Sequence, residues 1–295
     1  MRTRLGYAAA LVLPLALSLA ACGTTQDGGA AEPAAVDSPE AKQSDPAAAP
    51  PAAPESPEDY LDLAEKAMRD ESGWTFSVEG EEGLTLQGQQ SSATYEGTVR
   101  RGMKPAALHT QGVSTSSKGT KKSEELYVVG EKGYLKEGGA AWKAVSPADP
   151  EMRNKAEDPV AVVQEFRIYA QAAGGDVKVT ETDGGGTVEL RVVSGRQKLS
   201  AVQGRAWAKK AKREFDPTAA QLRKAGIPVQ DGQLTLSGLE EVLVLDAKTY
   251  RIKSHRLDFG FLVPYNGQDI AFEQRVTEEN QGTYEGKIEL PAGVR

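Results

Sequence analysis

The 295-residue chain carries 35 Lys and Arg against 42 Asp and Glu, two His and one Cys, a formal charge of -7. That balance excludes a general nucleic-acid binder, whose phosphate contacts need a basic surface. A single cysteine excludes an internal disulfide, so stability has to come from a packed core.

The first 22 residues read as an export signal. Arg2 and Arg4 precede an apolar run from Leu5 to Leu17, broken only by Gly6, Tyr7 and Pro14. The run is shorter than the roughly 20 apolar residues of a spanning helix, and its anatomy is that of a secretory leader. It ends in Leu19-Ala20-Ala21-Cys22, which resembles the bacterial lipobox. By that resemblance residues 1–21 are a lipoprotein signal peptide and Cys22 is lipidated. The protein is then exported and lipid-anchored to the outer face of the cell membrane. Stable anchoring needs more than one acyl chain. The competing reading is an ordinary cleaved leader with an unrelated cysteine.

Residues 22–56 are dominated by Ala, Pro, Gly, Ser and acids. They cannot bury enough surface to offset ordering and read as a disordered tether, with ends ~30–35 Å apart. Residues 57–295 suffice for one domain.

Ser56-Pro57-Glu58-Asp59 opens a helix, with Ser56 as cap and Pro57 at the first position. Tyr60, Leu61, Ala64, Ala67 and Met68 follow at helical spacing, and the helix should end near Arg69. From Trp74 the period becomes two, with Trp74, Phe76 and Val78 on one face. Strands follow at Ala93–Arg101, Ala106–Val113, Glu124–Val129, Gly133–Lys136 and Ala141–Val145. Glu81-Glu82-Gly83 and the stretch from Ser116 to Lys122 read as turns. Repeated short strands imply an antiparallel meander.

Asp158-Pro159 should open a second helix with Val162, Val163, Phe166, Tyr169, Ala170 and Ala173 on its apolar face, stopped by Gly174-Gly175. Strands Val177–Glu181 and Thr187–Val193 flank Asp183-Gly184-Gly185-Gly186, a tight hairpin. A helical stretch from Lys198 to Ala225, broken at Asp216-Pro217, carries Leu199, Val202, Trp207, Ala211 and Phe215. Nine Lys or Arg lie between Arg196 and Lys224 against two acids. Such a segment suits either a solvated helix face or an anionic membrane surface, with Arg205, Lys209, Lys210, Lys212 and Arg213 as the head-group contacts.

Four strands should close the chain: Leu239–Leu245, Tyr250–Val263, Gln268–Glu278 and Tyr284–Leu290, with a hairpin at Asn266-Gly267 and a joint at Glu279 to Thr283. In the second, Leu257, Phe259, Phe261 and Val263 are out of phase with Ile252, which points to a bulge near His255 or a change of environment.

No active site stands out. Asp258-Phe259-Gly260 copies part of a kinase signature without its companions. His109 and His255 are too few for a zinc site and sit in no triad motif. Glu240-Glu241 and Glu278-Glu279 should face opposite sides of their strands. No enzyme, metal or cofactor is implied.

The order of elements, together with Trp74-Thr75-Phe76, Tyr134-Leu135-Lys136 before Trp142, the Leu239–Asp246 strand and the closing Leu290-Pro291, resembles the LolA/LolB-like envelope lipoproteins. Within them it is most similar to the actinobacterial LppX and LprG group. The resemblance implies an α+β fold: a half-open antiparallel β-barrel whose concave face is covered by helices over an apolar cavity that receives acyl chains. It makes Trp74, Phe76, Tyr95, Val99, Phe166, Trp207, Phe259 and Phe272 the expected lining. The basic insert around Arg205 to Arg213 departs from the group. The expected function is a membrane-anchored carrier of an acyl lipid or glycolipid, with an envelope sensing module that contacts a protein partner as the alternative. A filled interior favours the second.

Overall fold

A computed structural model describes residues 53–147, 158–172, 175–182, 184–291 and 294. Cys22, the leader before it and the tether as far as residue 52 lie outside the described residues. So do Ala173, Gly174 and Asp183.

Helix α1, Pro57–Arg69, begins where its cap chemistry puts it. Asp59 N donates to Ser56 Oγ at 3.2 Å, and Ser56 N donates to Asp59 Oδ2 at 3.0 Å. This reciprocal box satisfies two otherwise orphan amides. Trp74 Nε1 donates to Met68 O at 2.7 Å and ties the helix to the sheet. Ser56→Ala removes half of the box and should lower stability by about 1 kcal/mol. A denaturant midpoint that does not move would show that the cap does not hold this end.

Six strands follow as a meander: β1 (Gly73–Leu86), β2 (Gln89–Met103), β3 (Ala106–Ser116), β4 (Lys121–Val129), β5 (Lys132–Glu137) and β6 (Lys143–Val145). The expected turn at Glu81-Glu82-Gly83 is absent, because those residues pair with β2 on one side and with the last strand on the other. A ladder on both sides outweighs their poor strand propensity. The turn comes at Gln87-Gly88, with φ of 53° and 75°, the two positive values of a type I′ hairpin.

Helix α2 is Val162–Ala170, one turn later than Asp158-Pro159 suggested. Asp158 Oδ1 accepts from Val160 N at 3.1 Å instead of capping the helix directly. Then come β7 (Lys178–Glu181), β8 (Thr187–Ser194), β9 (Gln197–Lys198), α3 (Leu199–Val202), α4 (Ala206–Lys224), β10 (Thr235–Asp246), β11 (Ile252–Tyr265) and β12 (Gln268–Thr283). Helix α4 runs through Asp216-Pro217, where a break was expected, and the chain breaks between α3 and α4 instead. An internal proline costs about 3 kcal/mol. The buried Phe215, Ala219 and Leu222 around it outweigh that, since a buried Phe or Leu alone contributes about 1.5–3 kcal/mol.

The closing region has three strands, not four. Strand β12 absorbs the expected joint at Glu279 to Thr283, and Tyr284–Leu290 forms no strand. Its flanks are already taken by β11 and β1, so no edge remains for a further hairpin arm. The bulge falls at Lys253, where Val244 pairs with Ser254 but Leu245 pairs with Ile252. It returns both Ile252 and His255 to the interior.

All pairings are antiparallel, in the order β6-β5-β4-β3-β2-β1-β12-β11-β10-β8-β7, with β9 beside β10. The sheet stays open, with β6 and β7 at its ends. Register places Phe76, Val99, Phe261 and Phe272 on one face, and the helices cover that face. The Phe215 ring of α4 lies 4.9 Å from both Phe261 and Phe272. The antiparallel α+β class is as expected, and the helical cover matches in part. Among the described residues no helix is long and apolar enough to cross a membrane.

Candidate functional site

The eight residues expected to line an apolar cavity all lie in one core cluster. Trp74, Phe76, Tyr95, Val99, Phe166, Trp207, Phe259 and Phe272 are each at most 6 % exposed. Packing explains this. Phe259 sits 5.8 Å from Phe272, ring to ring, and Tyr95 lies so close over Gly112 that a Cβ there would meet its hydroxyl at 2.3 Å. Among the described residues the space assigned to acyl chains is occupied by these packed side chains.

The basic insert turns Lys210 inward and keeps its other cations in partly exposed ion pairs or in solvent. Lys210 is 3 % exposed, donates to Glu241 Oε1 at 2.8 Å and pairs with Glu165. A head-group role for it is therefore corrected to an internal ion pair. Arg213 lies 3.3 Å from Glu165, and Lys212 pairs with Asp216 and with Asp231 at 3.4 Å. Arg205 pairs with Asp176 at 3.3 Å. Lys209 is exposed.

Between α4 and the sheet lies a charged layer that the sequence pattern concealed. Inward positions of three adjacent strands bring together Glu241 of β10, His255 of β11 and Glu278 of β12. His255 Nε2 is 3.0 Å from Glu241 Oε1, and its Nδ1 is 2.9 Å from Glu278 Oε2. Burial disfavours a charged imidazole, but hydrogen bonds to the two carboxylates raise its pKa to about 9. At neutral pH the ring therefore carries both protons and donates from both nitrogens. Burial likewise raises a carboxyl, yet Lys210 and His255 together hold Glu241 at about 2.

Two further acids are lifted. Burial raises Glu214 to about 7 against the pull of Arg213 and Lys210. It raises Glu82 to about 7 as well, where Thr218 Oγ1 of α4 donates to Oε1 at 3.4 Å. A general acid or base has to reach its substrate. Glu241, His255 and Glu278 are at most 4 % exposed and border neither of the clefts described next. Their geometry supports electrostatic attachment of the cover. Among the described residues no group of three His, Cys, Asp or Glu is placed to hold a metal ion.

Two clefts stand out on the surface of the described residues. One, about 430 Å³, lies on β2–β5 and includes Glu96, Glu124 and Glu125. The other, about 620 Å³, lies between the end of α2 and the start of α4, with Ile168, Ala172, Ala201, Val202, Arg205 and Lys209 among its lining. Of the predicted site residues, only Arg205 and Lys209 border it.

No family model and no curated protein matches the chain. Among solved structures it is similar to a β-barrel-like protein of the domain of unknown function DUF1849 from Brucella abortus, with 8% identity over 72% of this chain and 99% of that one and a TM-score of 0.24. It is similar also to a DUF1329 family protein from Desulfovibrio piger, at 9% identity, 80% and 96% coverage and a TM-score of 0.31. The ywiB protein from Bacillus subtilis follows at 8%, 72% and 94% coverage and 0.21. TM-scores below 0.5 support no argument about this chain.

Proposed function

We propose that the protein is a non-enzymatic module of the cell envelope, held at the membrane through lipidated Cys22, that acts by surface contact with a partner rather than by carrying a ligand inside. The filled interior carries this reading: residues that would line a lipid cavity pack against one another and against α2 and α4. The lipobox-like Leu19-Ala20-Ala21-Cys22 supports the tether. Native mass spectrometry of the protein extracted from membranes tests it. The expected species carries only covalent acylation, with no lipid held non-covalently, even after incubation with added phospholipid or glycolipid. A retained non-covalent lipid would overturn the reading.

One observation favours a second reading, a carrier that takes up lipid when its cover lifts. Helix α4 rests on β10–β12 partly through buried charges, and desolvation offsets much of the attraction in such pairs. Lipid uptake would then require α4 to leave the sheet, and exposure of Phe261 and Phe272 on loading would mark it.

A further inference from the structure

We propose that the cleft between the end of α2 and the start of α4 docks onto anionic phospholipid head groups, so that the domain lies on the membrane in one orientation. The inference rests on the membrane-tethered reading above and names the partner of this surface.

Three features coincide there. Ile168 is 56% exposed, whereas Val162, Val163, Phe166 and Tyr169 of the same helix are buried in the core. Helix α2 thus presents one large apolar side chain outward that its own core does not use. Beside it the cleft is lined by the small apolar side chains of Ala172, Ala201 and Ala206. Its described lining contains two cations, Arg205 and Lys209, and no acid, although the chain as a whole has a charge of -7. The pair with Asp176 positions the Arg205 guanidinium, which is still 42% exposed.

An apolar protrusion flanked by cations is what an interfacial surface requires, because the side chain enters the head-group boundary while the cations meet lipid phosphates. The course of the chain favours a membrane over an acidic protein. The segment from Cys22 joins the fold at α1, and α1 is fastened to α2 by the ion pairs of Arg167 with Asp62 and Glu65. The tether therefore enters beside the helix that carries Ile168.

Every helix and strand among the described residues lies between Pro57 and Thr283, so a chain beginning at residue 22 with Cys22→Ser keeps all of them and lacks the anchor. Its co-sedimentation with vesicles of phosphatidylglycerol in phosphatidylcholine is compared with that on phosphatidylcholine alone. Binding is expected only to the anionic vesicles and should weaken at high salt. Lys209→Glu should lower it roughly tenfold or more, since one cation at an anionic leaflet is worth about fivefold and the new anion is repelled. Ile168→Ser should lower it roughly five- to tenfold. Lys118→Glu makes the same charge change in the exposed turn between β3 and β4, on the other side of the sheet order from β10 and outside the cleft lining, and should leave binding unchanged. Circular dichroism confirms that each variant is folded. Equal binding to both vesicles, no binding to either, or indifference to Lys209→Glu would overturn the docking surface and leave the tethered module standing. A non-covalent lipid in the mass spectrum would remove that module reading but not the vesicle result.

Discussion

Lys210→Ala is expected to lower the unfolding free energy by about 3–5 kcal/mol, the usual cost of removing one partner from a buried pair. For a domain of this size each kcal/mol shifts the midpoint by roughly 2–4 °C, so the melting temperature should fall by roughly 6–20 °C. The reason lies in what remains. Lys210 Nζ is shared by Glu165 of α2 and Glu241 of β10, so one cation joins two helices and the sheet. Without it the fully buried Glu241 keeps His255 alone as a charged partner among the described residues, and the largest force holding its carboxyl near 2 is gone. Lys210→Met with Glu241→Gln should regain part of the loss, because the unpaired carboxylate is the costly group. Lys209→Ala, one residue away but exposed, should stay within about 0.5 kcal/mol. A Lys210 loss no larger than the Lys209 loss would mean that the ammonium is hydrated and the charged layer is not closed.

That layer marks the boundary of what sequence pattern reveals. Local chemistry suffices where the determinants are neighbours in the chain. The Ser56 cap, the Asn266-Gly267 turn, with φ of 49° and 78°, and the phase slip that becomes the Lys253 bulge are each written in a few consecutive residues. The alternation also put Glu241 and Glu278 on the opposite side of their strands from Glu240 and Glu279. What it did not give was the cross-strand register that aligns His255 with Glu278, or the placement of Lys210 above Glu241. A signal was present: Glu241 alternates with Leu239 and Leu243, so a carboxylate stood at a core position and called for a buried cation. The same non-locality explains the misplaced turn at Glu82. Its composition reads as a loop, but strands distant in sequence supply its backbone partners. The basic insert misled for the complementary reason, since counting cations does not reveal the acids on α2 and β10 that neutralise them.

Glu82 supplies the second large effect, and its sign can be worked out. The carboxyl stands in mid-β1 between Ala93 of β2 and Gln274 of β12 and is fully buried. Thr218 Oγ1 of α4 reaches one oxygen, and the other has no hydrogen-bond partner among the described residues. Glu214, one turn before Thr218 on α4, is itself raised to about 7. Burial lifts Glu82 from 4.5 to about 7, so the folded protein binds this proton more tightly than the unfolded chain. The stabilisation is therefore complete below about pH 4.5 and is lost as pH rises through 7, a change of about 3 kcal/mol. Glu82→Gln keeps the shape and an acceptor for Thr218 but cannot ionise. It should match the parent near pH 4.5 and exceed it by about 3 kcal/mol at pH 8, measured by urea unfolding at both values. The parent should still lose stability more steeply than the variant between these limits, with Glu214 and His255, both raised above their ordinary values, contributing to the slope that remains in the variant. Because Thr218 belongs to α4, the charge that forms on Glu82 lies beneath that helix. Amide exchange in α4 should therefore quicken with pH, beyond the intrinsic rate increase, before exchange in β11 and β12 does. A constant difference between parent and variant at every pH would show that Glu82 titrates as a hydrated carboxyl, and that water already reaches the interface beneath the cover.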